Sequence, residues 1–204
     1  MKTTNFSRIA VTAIALLFDL FAVMPVNAVT NAVSSGFDNI YIVTDVPTSG
    51  EVMNSGSVFY TSSAGDFYLN VDDLTAQLAL GNVQVLTMVG DIYVQTGVEW
   101  TSPTSLTLNS GKNISVDGVA VIGNYIILNA ARNVTVDSGA TVKGSIIDLN
   151  ALQNVEITSG AELYSDTYDM LITAGRNITL DQARLETADG LISLTATSGK
   201  YLKL

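Results

Sequence analysis

From Ser105 onward, apolar residues alternate with polar ones in short bursts that recur at a near-constant step. Leu106-Thr-Leu108 is followed by Asn113-Ile-Ser-Val116, and Ile126-Ile-Leu128 by Asn133-Val-Thr-Val136. Ile147-Asp-Leu149 precedes Asn154-Val-Glu-Ile157, Met170-Leu-Ile172 precedes Asn177-Ile-Thr-Leu180, and Ile192-Ser-Leu194 opens a fifth copy. In each of the four complete copies the Asn follows the second apolar anchor by five residues. The anchors Leu108, Leu128, Leu149, Ile172 and Leu194 are 20, 21, 23 and 22 residues apart. Alternation puts every second side chain on one face of a strand. A third strand shows in the pairs Val119/Val121, Ala140/Val142, Ala161/Leu163 and Ala183/Leu185. Several short strands per repeat, in constant register, predict stacked coils. No coil can bury its apolar face alone, so the coils must fold as a stack. A β-sandwich also has short strands at regular spacing, but gives no reason for one Asn to recur in one register.

Two physical roles suit that Asn. It tolerates left-handed backbone angles at a corner, and its amide can bond the equivalent Asn of the next coil, forming a ladder. Asn113, Asn133 and Asn177 also lie in Asn-x-Ser/Thr frames. Because Asn154 holds the same place without such a frame, the period explains them better than glycosylation does. Gly111, Gly139, Gly160, Gly175 and Gly199 fit turns.

Upstream the pattern loosens. Val83-Gln-Val85 and Asp91-Ile-Tyr-Val94 form an imperfect first copy with Asp in the Asn position. Residues 39–43, 58–61 and 67–71 read as strands. Leu74–Leu80 reads as a short helix capped by Asp72 or Asp73 and ended by Gly81-Asn82. Trp100 reads as a core or corner plug. Residues 1–28 have the form of a secretory signal peptide: Lys2 and Arg8, an apolar run from Ile9 to Val23 interrupted by Asp19, then Val26-Asn-Ala28. The run is short for a membrane span. The division expected is therefore a signal peptide over 1–28, a lead-in or cap over 29–82, and all-β solenoid coils over 83–204.

Composition narrows the chemistry. The 204 residues contain no Cys and no His, which removes disulfides, thiolate metal sites and the commonest general base. With 48% hydrophobic and only 14% charged residues, the chain can bury a large core. A net charge of -10, with no basic residue between Arg8 and Lys112, argues against nucleic acid as a partner. No phosphate loop, dinucleotide fingerprint or calcium loop is present. Paired carboxyls for glycoside hydrolysis could be sought in Asp166 with Asp169, or Asp66 with Asp72 or Asp73, yet turn acids and a helix cap explain them. No catalytic residue, cofactor or metal ligand is assigned. The 23-residue step carries the insertion Tyr164-Ser-Asp-Thr-Tyr-Asp169. Solenoid insertions collect on one face, often the binding face, so Tyr164, Asp166, Tyr168 and Asp169 form the candidate binding surface.

Gly90-Asp-Ile-Tyr-Val94, Val98-Glu-Trp100 and Thr104-Ser-Leu-Thr-Leu-Asn-Ser-Gly-Lys-Asn-Ile-Ser-Val116 resemble the repeats of filamentous-haemagglutinin-like exoproteins. Asp73–Val85 resembles the lead-in to such repeats, and the likeness covers residues 66–204. It implies a right-handed parallel β-helix, a bacterial origin and export to the cell surface through an outer-membrane partner. It also implies adhesive contact with a host or bacterial surface protein or glycan, without catalysis. The Asn-Pro-Asn motif of that family's secretion domain is absent. Two alternatives stand beside this expectation: a fibre-forming protein built by head-to-tail self-association through an open strand edge, and a carbohydrate-active β-helix enzyme.

Overall fold

The chain divides into two units, Met1–Thr30 and Asn31–Leu204. The computed structural model describes residues 39–49, 52–53, 58–60, 65–198 and 202–203, all in the second. The signal-peptide segment and Gly199 lie outside the described residues.

Five complete coils follow one another. The first is β5 (Val83–Thr87), β6 (Ile92–Val94) and β7 (Val98–Glu99); the second is β8 (Ser105–Ser110), β9 (Ile114–Val116) and β10 (Ala120–Ile122). The third is β11 (Tyr125–Ala130), β12 (Asn133–Val136) and β13 (Thr141–Gly144). The fourth is β14 (Ile146–Ala151), β15 (Asn154–Ile157) and β16 (Glu162–Ser165); the fifth is β17 (Met170–Ala174), β18 (Asn177–Leu180) and β19 (Arg184–Thr187). Strands β20 (Ile192–Ala196) and β21 (Leu202–Lys203) continue the stack. Before the coils come β1 (Ile40–Val43), β2 (Val52–Met53), β3 (Val58–Tyr60), β4 (Phe67–Asn70) and helix α1 (Val71–Leu80).

Equivalent strands of successive coils pair in parallel and form three sheets. Sheet I has the order β4-β1-β6-β9-β12-β15-β18-β21, sheet II β2-β3-β5-β8-β11-β14-β17-β20, and sheet III β7-β10-β13-β16-β19. The protein is a parallel β-helix, as the periodicity predicts. Register is constant: Leu108, Leu128, Leu149 and Ile172 stack in sheet II, and Ile114, Val134, Val155 and Ile178 in sheet I. These side chains point inward and are buried. Each contributes roughly 1.5–3 kcal/mol through removal from water. A one-residue slip would turn the whole column outward, which is why the register holds.

The lead-in is continuous with the coils. Strands β1 and β4 extend sheet I beyond β6, and β3 extends sheet II beyond β5. Sheet III has no described strand before β7, and α1 packs against β4, β5 and β7 there. Leu74 and Leu78, one helical turn apart, are fully buried beneath it. The helix starts earlier than the sequence suggests. Its cap is Asn70, whose side chain accepts from the Asp72 N–H at 2.8 Å, so Asp72 and Asp73 are first-turn acids favoured by the helix dipole instead of caps. Gly81 ends the helix in extended backbone and returns its N–H to the Gln77 carbonyl. The Leu78 carbonyl of the last turn accepts from the hydroxyls of Ser102 and Thr104, both at 2.7 Å. Those bonds fasten the helix to the loop after β7.

The outer edge of β4 is covered too. The Ser49 N–H donates to the Tyr68 carbonyl at 2.9 Å, the Tyr68 N–H to Ser49 Oγ at 2.8 Å, and the Asn70 N–H to Thr48 Oγ1 at 3.0 Å. On sheet II the end pair β2/β3 is antiparallel. Sheets I and III are thus covered at this end, and sheet II ends on the two-residue antiparallel strand β2, a short edge being another defence. Among the described residues no helix is long and apolar enough to cross a membrane.

Candidate functional site

Two polar columns and one charged patch flank the aliphatic core, and Asn109 and Asn150 of the second column are themselves buried. The first column is the predicted Asn ladder. Asn113 Nδ2 donates to Asp91 Oδ1 at 2.7 Å, Asn133 to Asn113 at 2.9 Å, Asn154 to Asn133 at 2.9 Å and Asn177 to Asn154 at 3.0 Å. All four bonds run in the same direction, from each coil to the one before. Asp91, which has no side-chain donor, occupies a position that only receives. The line continues through backbone donors: Asp91 N–H to Asn39 Oδ1 at 3.0 Å and Asn39 N–H to Asp66 Oδ1 at 3.4 Å. The other proposed role of the Asn is not the one the fold uses. Among the described residues the only non-glycine positive φ angles are at Asp45 and Gln182, so the corner Asn keep ordinary backbone. A glycan on Asn113, Asn133 or Asn177 would take the nitrogen that makes the ladder bond.

The second column lies on sheet II, where Asn129 Nδ2 donates to Asn109 Oδ1 at 2.8 Å and Asn150 Nδ2 to Asn129 Oδ1 at 3.0 Å. Asn150 Nδ2 also donates to Asp148 Oδ1 at 2.9 Å. Asp148 stands in register between Ile127 and Leu171. Burial pushes its carboxyl above the ordinary value, and the Asn150 bond partly offsets that.

The candidate binding residues do not converge. Tyr164 lies on β16 in sheet III. Tyr168 is 53% exposed, while its carbonyl accepts from Ser165 Oγ at 2.6 Å. Asp169 Oδ1 accepts from the Leu191 N–H of the next coil at 2.8 Å, which makes it a corner residue. Asp166 is exposed and accepts from Thr167 Oγ1 at 3.2 Å. The two carboxylates have separate local partners. The same holds upstream: Asp66 joins the ladder line, and Asp73 Oδ2 accepts from Thr48 Oγ1 at 2.5 Å.

Around Tyr164 the structure assembles residues that the periodicity could not single out. Thr141, Lys143, Glu162, Leu163, Tyr164, Arg184 and Glu186 line a shallow depression of about 400 Å³ on sheet III. Lys143 Nζ sits 5.2 Å from the Tyr164 ring centroid, a cation–π contact. Arg184 bridges Glu186 at 2.6 Å and Glu162 at 3.8 Å. All three ion-pairing side chains are substantially exposed, so the bridges orient the patch more than they stabilise it. A further aromatic feature lies on sheet I, where Tyr41 stacks between Tyr68 and Tyr93 with centroids 5.4 and 5.0 Å apart. Burial, together with the Asp91 carboxylate, pushes the Tyr93 phenol up. Trp100 is the plug its context suggests: it is 7% exposed and its Nε1 donates to the Thr104 carbonyl at 3.1 Å. Among the described residues no group of three or more acids is placed to hold a metal ion.

No protein-family model, curated protein or solved structure matches the chain. The functional reading therefore rests on the residues themselves.

Proposed function

We propose that this chain is an exported, non-enzymatic β-helix module of the bacterial cell surface that mediates contact with a surface protein or glycan. The observation that carries the reading is the division of labour within each coil. The inside repeats the same aliphatic columns, while on the outer face of sheet III, away from the Asn ladder, the side chains differ between coils and gather a Tyr- and charge-lined patch at Lys143, Tyr164 and Arg184. A wide, shallow, polar surface suits weak multi-point contact better than it suits chemistry, which needs groups converging in a water-poor cleft. The signal-like start and the resemblance to filamentous-haemagglutinin-like repeats support export and adhesion. The cover over sheets I and III at the amino-terminal end (the 48–49 segment and α1) weighs against head-to-tail fibres, since such stacking needs bare edges at both ends.

The test is display on intact cells. Cells producing the chain should lose it to protease added outside and adhere to plates coated with matrix protein or mixed glycans. Leu16→Arg/Leu17→Arg, which breaks the apolar run of the signal, should abolish both. Protein that stays protease-resistant inside the cell, or that reaches the surface without altering adherence on any coating, refutes the proposal.

A further inference from the structure

One charged pattern is not absorbed by the contact surface. Strands β9, β12, β15 and β18 are each framed by two corner residues: Lys112 and Asp117, Arg132 and Asp137, Gln153 and Thr158, Arg176 and Asp181. The corner on the sheet II side is one vertical column. The Arg132 N–H donates to the Lys112 carbonyl, Gln153 to Arg132 and Arg176 to Gln153, at 2.7, 2.8 and 2.7 Å. The opposite corner is another: the N–H groups of Asp117, Asp137, Thr158 and Asp181 donate to Val94, Val116, Val136 and Ile157, which themselves stack in register. Sheet I therefore has a basic ridge along one edge and an acidic ridge along the other. Both rise about 4.8 Å per coil, the strand spacing. Both are neutral at the same rung, Gln153 on one and Thr158 on the other.

The charges of one coil do not serve each other. Four residues, three of them the strand β9, lie between Lys112 and Asp117, which spaces the two roughly 16 Å apart at the strand rise, far beyond ion-pair reach. None of Lys112, Arg132 and Arg176 forms an ion pair among the described residues; the only bridges belong to Arg184. Arg132, Arg176, Asp137 and Asp181 are exposed, and Lys112 and Asp117 are half-buried.

We infer that the two ridges are the complementary halves of a lateral contact between copies of this chain, laid side by side with sheets I coplanar, axes parallel and coils in register. A second copy presents the opposite charges at the same rise and with the same neutral rung. Parallel in-register alignment pairs Lys112 with Asp117, Arg132 with Asp137 and Arg176 with Asp181, and sets Gln153 against Thr158. Any parallel shift by whole coils leaves one such pair, and any antiparallel alignment leaves at most two. The contact is heterologous and does not close, so it extends as a ribbon across the solenoid axes. Three surface ion pairs, two of them between exposed side chains, are weak and dilute association is costly. The ribbon forms where copies are held at high density in one orientation, which raises their effective concentration. It requires nothing of what the outer faces bind.

The chain has no Cys, so single-cysteine variants report one position each. Full-length R132C and D137C proteins, tethered together through a carboxyl-terminal tag on a fluid supported bilayer, are oxidised mildly at low salt. The mixed R132C–D137C disulfide should exceed random mixing by about fivefold, the weight of about one exposed pair's attraction, and should fall to random at high salt. R132C with D181C, two coils out of register, should stay at random mixing. K112C with D117C repeats the measurement at another rung, and thermal melts confirm that each variant is folded. Random proportions from both in-register pairs, or equal cross-linking by the out-of-register pair, overturns the inference.

Discussion

Replacing Asn133 with alanine removes two bonds from the ladder at once. Its Nδ2 donates to Asn113 and its Oδ1 accepts from Asn154, both at 2.9 Å. A typical intramolecular hydrogen bond contributes a net 0.5–1.5 kcal/mol, and an orphaned buried partner costs more. Here the partners are half-buried, and Asn113 Oδ1 keeps the backbone N–H of residue 133 at 3.2 Å, so the orphan cost falls mainly on Asn154. The expected loss is about 2 kcal/mol. Asn177 is different: among the described residues its side chain donates to Asn154 and accepts from none. Asn177→Ala should therefore cost about 1 kcal/mol, half as much. Asn133→Ala/Asn154→Ala should be less damaging than the sum of its parts, because the two share a bond. Urea unfolding, followed by far-UV circular dichroism and by the fluorescence of the single Trp100, measures all three if the two probes coincide and m is unchanged. Equal losses for Asn133→Ala and Asn177→Ala, or losses within error of zero, would refute the directional ladder as a source of stability.

Gly123→Ala should destabilise by about 1–3 kcal/mol through overpacking, since a Cβ there would lie 2.1 Å from the Trp100 ring; thermal unfolding checks it, and Trp100→Leu in the same chain should recover part of the loss. For Asp148 the folded carboxyl titrates above its unfolded value, so its contribution to stability is fully present below the ordinary carboxyl range and is lost as pH rises through the raised value. Asp148→Asn should remove that slope and be the more stable protein at neutral pH, as melting temperatures taken across the acid range would show; an unchanged slope would dismiss the assignment.

The coils were legible because their cause is local and repeated. Leu108, Leu128, Leu149 and Ile172 announce a strand, a face and a register with one spacing, and the Asn five residues later marks the corner. What was not legible depends on order in space. Strand β1 lies between β4 and β6, so Asn39 and Asp66 extend the ladder line although they precede it out of turn. The alternation Phe67, Leu69, Val71 carries the strand pattern one residue into the helix, which hides Asn70 as its cap. The Asn corner invited a left-handed backbone because Asn tolerates one, but the side-chain bonds to the coils above and below already suffice. The patch at Lys143, Glu162, Tyr164, Arg184 and Glu186 had no period to betray it. Its members come from three coils and meet only through the pairing of β13, β16 and β19. The insertion drew attention to Tyr164, yet its neighbours in space come from other coils and its neighbours in sequence turn away.

Constant register has a further consequence. Because Tyr125 stacks on Ile146 and Asn133 on Asn154, excising residues 125–145 would join Asn124 to Ile146. That would place Leu106 under Ile147 and Asn113 under Asn154, with every column still filled. A coil is thus an interchangeable segment, and its corners absorb the difference between a 20-residue step and a 23-residue one. Duplication or loss of a segment shifts everything beyond it by about 4.8 Å along the axis and leaves the interior unchanged. The molecule behaves as a ruler with repeating graduations, whose length can drift in whole steps while each graduation keeps its own outward markings.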